Sequence, residues 1–139
     1  MLRILAQRSV DPEEAAKAME PFIYHPATPL ERREEDMTLR RKWFPTTKGY
    51  FAQLQGILAW EAYSRLSQIL APTLVIHGES DKLVPAANAK LIAGRIPGAK
   101  LATIPNASHI LTTDQPETVH DAVLAFLSSQ RGTTSTAES

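Results

Sequence analysis

The chain contains no cysteine. Disulfides, thiolate zinc sites and a cysteine nucleophile are thereby excluded. It has no excess charge of either sign: 15 basic and 15 acidic residues give a net +0. Nucleic acid and anionic membranes both draw on a basic excess, so neither is expected as a partner. Long apolar runs are missing as well, and no stretch suffices to span a bilayer. The opening Met1-Leu-Arg-Ile-Leu-Ala-Gln-Arg8 is too weakly apolar for a secretory signal. A cytoplasmic, soluble protein is the expectation. Glycine is scarce at six residues, and Gly78 and Gly98 do not form a phosphate-cradling loop. Four histidines lie scattered without short metal-ligand spacing, so no metal and no cofactor is expected. What is present is 139 residues at 43% apolar content, enough for one ordinary domain with a packed core.

Residues 1–70 read as wholly helical. Asp11-Pro12-Glu13-Glu14 is a helix start, with Asp as cap and Pro at the first position. Thr28-Pro29-Leu30-Glu31 repeats the device as a capping box. The helix that follows, Pro29 to about Trp43, is mostly charged; it reads as a solvated face or, alternatively, as a docking surface. After the break at Pro45-Thr-Thr-Lys-Gly49, a third helix is predicted from about Lys48 to Gln68. Its apolar residues Phe51, Leu54, Ile57, Leu58, Ala62 and Leu66 recur at helical spacing, which predicts a core-facing stripe. Trp60 and Tyr63 lie alongside it, and Trp60 is a candidate to line a pocket. So is His25, in the loop Tyr24-His-Pro26.

From Ala71 the period changes. Thr73 to Ile76 is a short continuous apolar run, as expected of a strand buried on both faces of a parallel sheet. Pro85 to Gly94 reads as a crossover helix, and Leu101 to Ile104 as a second, parallel strand. A last helix is predicted from Asp114-Gln-Pro-Glu117, with Asp114 as its cap. Gln130 to Ser139, rich in Ser, Thr and Gly, reads as a disordered tail. The fold class is α/β: a helical segment, a two-strand parallel βαβ unit and a final helix.

This arrangement sets Asp81 and His109 just past the carboxyl ends of neighbouring strands. Ligands of open α/β folds bind at that edge. Adjacent strands lie about 4.8 Å apart, so the two loops can bring the carboxylate to the imidazole, within roughly 2.6 to 3.2 Å. Asp81 would orient the ring and His109 would act as general base. Taken alone, Asp81 reads equally as a turn residue that bonds its own backbone, and His109 as a structural histidine. His77, inside the strand end, reads as held by backbone contacts.

At these residues the sequence resembles the C-terminal half of an α/β-hydrolase. In that family the acid stands in a His-Gly-x-x-Asp-x-x-Val-Pro setting, matched here by His77-Gly-Glu-Ser-Asp81-Lys-Leu-Val-Pro85. The base follows the last strand as Gly-x-Gly-His; here the segment is Asn106-Ala-Ser-His109, which departs at both glycines. The resemblance implies a cap over residues 1–70, the C-terminal part of the core over 71–129, and a tail over 130–139. The style is similar to ester and lactone hydrolases of the enol-lactonase or methylesterase-like type. Asp81 and His109 are then catalytic, and Trp60, His25 and Val84 are candidates for substrate contact. The implied partner is a small ester or lactone.

The family's nucleophile is a Ser in Gly-x-Ser-x-Gly upstream of the acid, and no such motif occurs in these residues. The resemblance therefore implies a truncated chain, inactive alone, that self-associates through uncovered core surface. A non-catalytic remnant or interaction module is the other reading. Within enzymes, a dehalogenase or C–C bond hydrolase is a further one.

Overall fold

The computed structural model describes residues 12–43 and 46–134. The Asp11 cap and the break at Pro45 lie outside the described residues. Among the described residues the first elements are α1 (Pro12–Ile23), α2 (Leu30–Lys42) and α3 (Thr47–Ala59). A 3-10 helix over Tyr63–Gln68 leads into β1 (Leu74–Gly78). Then come α4 (Ala87–Arg95), β2 (Lys100–Ile104), the short α5 (Leu111–Asp114) and α6 (Pro116–Thr134). No described helix is long and apolar enough to cross a membrane.

The helix termini follow local chemistry, with four departures from expectation. Thr46 caps α3 by accepting from the Gly49 N–H at 3.1 Å. Thr28, expected to cap α2, does not: Pro29 occupies the cap without a side-chain bond. The Thr28 hydroxyl instead donates to Asp114 at 2.5 Å, a long-range acceptor that outcompetes the local one. The helix expected to run to Gln68 ends at Ala59, where Trp60 is extended. Glu61 then collects the Ser64 N–H at 2.9 Å and its hydroxyl at 2.8 Å, starting a new turn. The third departure is Asp114, which ends α5 instead of capping α6; its carboxylate turns inward. At the other end, α6 continues to Thr134, past the Gln130 boundary of the expected tail. Side-chain bonds of Ser129 and Gln130 to the Phe126 carbonyl support that last stretch.

The two strands pair in parallel, with Leu74 opposite Lys100 and Gly78 opposite Ile104. The sheet has two strands, so Leu74 to His77 are half-buried, where burial on both faces was expected. The α3 stripe likewise departs from its expected core role. Leu58 is 78% exposed and Trp60 72% exposed.

Among the described residues, six buried apolar side chains form two small clusters, while Ala89 and Ile96 are buried outside them. Ala16, Tyr24 and Met37 join α1 to α2, with Ile110 packed against them. Ile104, Ala107 and Val119 join β2 to α6, with Ile76 and Leu111 packed against them. Ile110 and Leu111 are consecutive, so the chain immediately after His109 straddles the seam between the helical segment and the sheet.

Candidate active site

Gly78 closes β1 because the loop after β2 crosses directly over it. A Cβ at Gly78 would lie 2.2 Å from the Ser108 carbonyl oxygen and 2.6 Å from that of Ala107. Two bonds lock the loops together: Glu79 N–H to Ile104 O at 3.0 Å and Ser80 N–H to Ala107 O at 2.9 Å. The turn out of β2 needs a left-handed residue, and Asn106 supplies it with φ 54. Asparagine tolerates that conformation better than most residues. It stands at the first glycine of the family's Gly-x-Gly-His pattern, so the departure there keeps the backbone requirement. Ser108, at the second glycine, is almost fully buried. Its hydroxyl lies 3.2 Å from Phe22 O and 3.4 Å from Ser80 O.

These loops bring Asp81 and His109 together. His109 Nδ1 lies 3.0 Å from Asp81 Oδ2. A carboxylate only accepts, so Nδ1 carries the proton and Nε2 is the basic nitrogen. The other carboxylate oxygen, Oδ1, accepts from Leu83 N–H at 2.8 Å and Val84 N–H at 2.9 Å. Asp81 thus bonds its own turn through one oxygen and the His109 ring through the other. Its side chain is 3% exposed, while that of His109 is 35% exposed. His77 Nε2 lies 3.0 Å from Val84 O, which fixes its proton there, and 3.3 Å from Asp81 Oδ2.

Burial pushes the Asp81 carboxyl upward. The Val84 N–H, His109 and the Leu83 N–H together outweigh it, leaving the group below the usual carboxylate range. The folded-state value is therefore depressed. Its stabilisation is present in full above the unfolded value of about 3.9 and is lost as pH falls through the folded value. The stability gap between the native chain and Asp81→Asn is expected to close on acidification below about pH 4. Urea midpoints from about pH 5 down to about pH 3 measure it; a gap that widens over that range would contradict the sign.

His109 opens onto a cleft of about 720 Å³ between the helical segment and the Asp81 loop. Its walls include Met19, Ile23, Met37, Trp43, Leu83 and Ile110. Asp36 and Arg40 supply polar edges. Arg40 Nε donates to Asp36 Oδ2 at 2.5 Å, and the Tyr24 hydroxyl donates to the same oxygen. Burial, then Asp36, raise the Tyr24 hydroxyl above its ordinary range.

Of the residues named for substrate contact, Val84 bonds Asp81 and His77 through its backbone but is not among the residues that line this cleft. Trp60 stands exposed at the end of α3, and neither it nor His25 lines this cleft. His25 instead donates its N–H to Asp114 at 3.1 Å. Sequence reasoning missed Leu83, Asp36 and Arg40; α2 read as a solvated face, although the Asp36–Arg40 spacing of four already marked a pair. It also missed Asp114, which is 2% exposed and accepts from Ser108 N–H at 2.6 Å.

The sequence matches the alpha/beta hydrolase fold family across residues 7–116, and the chain belongs to that family. A poly(3-hydroxyalkanoate) depolymerase of Ectopseudomonas oleovorans is 37% identical over 83 residues, 60% of this chain and 29% of that protein. Among solved structures, Est816, described as an N-acyl homoserine lactone degrading enzyme, superposes with a TM-score of 0.69 at 27% identity. The superposition covers 88% of this chain and 50% of that one. A thermophilic esterase superposes with a TM-score of 0.70 at 27% identity, covering 93% and 51%. The chain spans about half the length of these solved relatives.

Proposed function

We propose that this chain supplies the acid and the base of a serine hydrolase acting on a carboxylic ester or lactone. The observation that carries the reading is the 3.0 Å bond between a buried Asp81 and an imidazole open to an apolar cleft. In the reaction, His109 Nε2 takes the proton of a serine hydroxyl as its oxygen bonds to the substrate carbonyl carbon. Asp81 stabilises the imidazolium. His109 then returns the proton to the leaving alcohol oxygen as the C–O bond breaks. Water repeats the cycle on the acyl-serine. The ester and lactone relatives support this substrate class.

The attacking serine is not among the described residues that face His109. Ser108 is buried with its hydroxyl turned toward backbone carbonyls. The nucleophile and its oxyanion donors would belong to sequence outside these 139 residues. An in-frame Gly-x-Ser-x-Gly in the coding sequence upstream of Met1 would support the enzyme, and a genuine start signal at Met1 the non-catalytic module. That second reading is favoured by one observation, the missing Gly-x-Ser-x-Gly. The open edge of β1 and the exposed α3 stripe support self-association of the isolated chain.

The direct test is a p-nitrophenyl ester assay on the purified chain. Hydrolysis at background is expected, since among the described residues no serine lines the cleft beside His109 and a positioned base without a nucleophile has only water to act on. Turnover that His109→Ala abolishes would show a nucleophile inside the chain and overturn the division of labour.

A further inference from the structure

We infer that Asp114 is a positioning residue that ties the loop between α1 and α2 to the backbone beside His109, so that the cap's placement sets the imidazole's. Its effect on turnover rests on the reading of His109 as general base; the mechanical coupling does not.

The geometry is specific. Asp114 is buried, and its two oxygens face opposite ways across the seam. Oδ2 accepts from Ser108 N–H at 2.6 Å, one residue before His109. Oδ1 accepts from His25 N–H at 3.1 Å and from the Thr28 hydroxyl at 2.5 Å, both in the α1–α2 loop. All three partners are uncharged donors. A buried carboxylate without a cation carries a desolvation penalty that an apolar side chain of similar size would avoid. It is a poor choice for filling space and a suitable one for holding three donors in fixed directions.

A second bond acts from the same side. Ile110 N–H donates to Ile23 O at 2.9 Å, one residue after His109. Both backbone neighbours of the imidazole are thus held by the helical segment, while the ring itself bonds Asp81 on the sheet side. A shift of the α1–α2 loop relative to the sheet must change the Asp81–His109 distance.

The experiment follows the His109 Nδ1–H by proton NMR on the full chain, since that low-field resonance reports the bond to Asp81. Thr28→Val removes one donor from Asp114 and touches neither Asp81 nor His109. With the Asp81 bond loosened, the resonance is expected to move upfield and to exchange faster with water. Asp114→Asn is expected to shift it further in the same direction. Val119→Ala, which weakens the β2–α6 cluster, is expected to lower the urea midpoint and leave the resonance in place. A folded Thr28→Val chain with an unchanged resonance would overturn the inference. So would an equal shift in Val119→Ala, which would reduce the effect to general loosening. A Thr28→Val chain that fails to fold would also count against it, by placing the pair in the scaffold. Because the spectrum uses no substrate, a positive result beside an inactive completed hydrolase would sink only the catalytic reading.

Discussion

Gly78→Ala is expected to dismantle the site and much of the sheet with it. The added methyl would meet the Ser108 and Ala107 carbonyl oxygens at 2.2 and 2.6 Å, and the Ala107 carbonyl carbon at 2.8 Å. All three are backbone atoms, so no rotamer change relieves the clash. Relief requires the segment from Asn106 to His109 to lift off β1. That breaks the Ser80–Ala107 and Glu79–Ile104 bonds and carries His109 away from Asp81. Overpacking in cores costs about 1 to 3 kcal/mol, and a rigid contact on two strands belongs at the top of that range or above. A complete domain has only about 5 to 15 kcal/mol in hand, and two strands with two small clusters hold less. The Gly78→Ala chain should show a collapsed urea midpoint and no low-field imidazole N–H resonance. A midpoint equal to that of the unmodified chain would mean that the crossing loop is slack.

The second large effect concerns the Asp81 carboxylate in a hydrolase completed with its nucleophile. His109→Ala is expected to remove roughly 10²- to 10⁴-fold of turnover, the usual contribution of a positioned base. Asp81→Asn is expected to cost nearly as much, for a reason visible in its partners. The Leu83 and Val84 N–H groups both point at Oδ1, so an asparagine places its carbonyl oxygen there. Its amide nitrogen then faces His109 Nδ1 and donates to it. That forces the ring proton onto Nε2, the nitrogen that must be basic. The kcat/KM of the completed enzyme toward a p-nitrophenyl ester, with and without the substitution, measures this. Retention of more than about a tenth of the activity would refute the tautomer argument.

The parts of the site legible in the sequence were those set by short-range pattern. The apolar run before His77-Gly78 and the Pro105-Asn106 turn place Asp81 and His109 beyond paired strands, and the strand–helix–strand spacing makes the strands parallel neighbours. The parts that were not legible depend on partners distant in the chain. Thr28 and Asp114 are 86 positions apart, and each carries a respectable local signal as a helix cap. Nothing in either tetrapeptide says that the side chains will choose one another. The α3 stripe failed for a different reason. Helical spacing of Phe51, Ile57 and Leu58 predicts a face that seeks burial, yet no described element packs over it and all three stay exposed. The end of α3 at Ala59 was readable in principle, since Glu61 three residues before Ser64 is an acceptor–donor spacing that starts a turn.

In the Asp81 loop, the anchor of the carboxylate and the wall of the cleft are separate parts of one residue. The carboxylate is held by main-chain N–H groups of Leu83 and Val84, which every residue but proline provides. Leu83 meanwhile forms part of the cleft wall. Position 83 can therefore vary in size and shape while the Asp81–His109 geometry stays fixed, so single substitutions there reshape the cleft without moving the carboxylate.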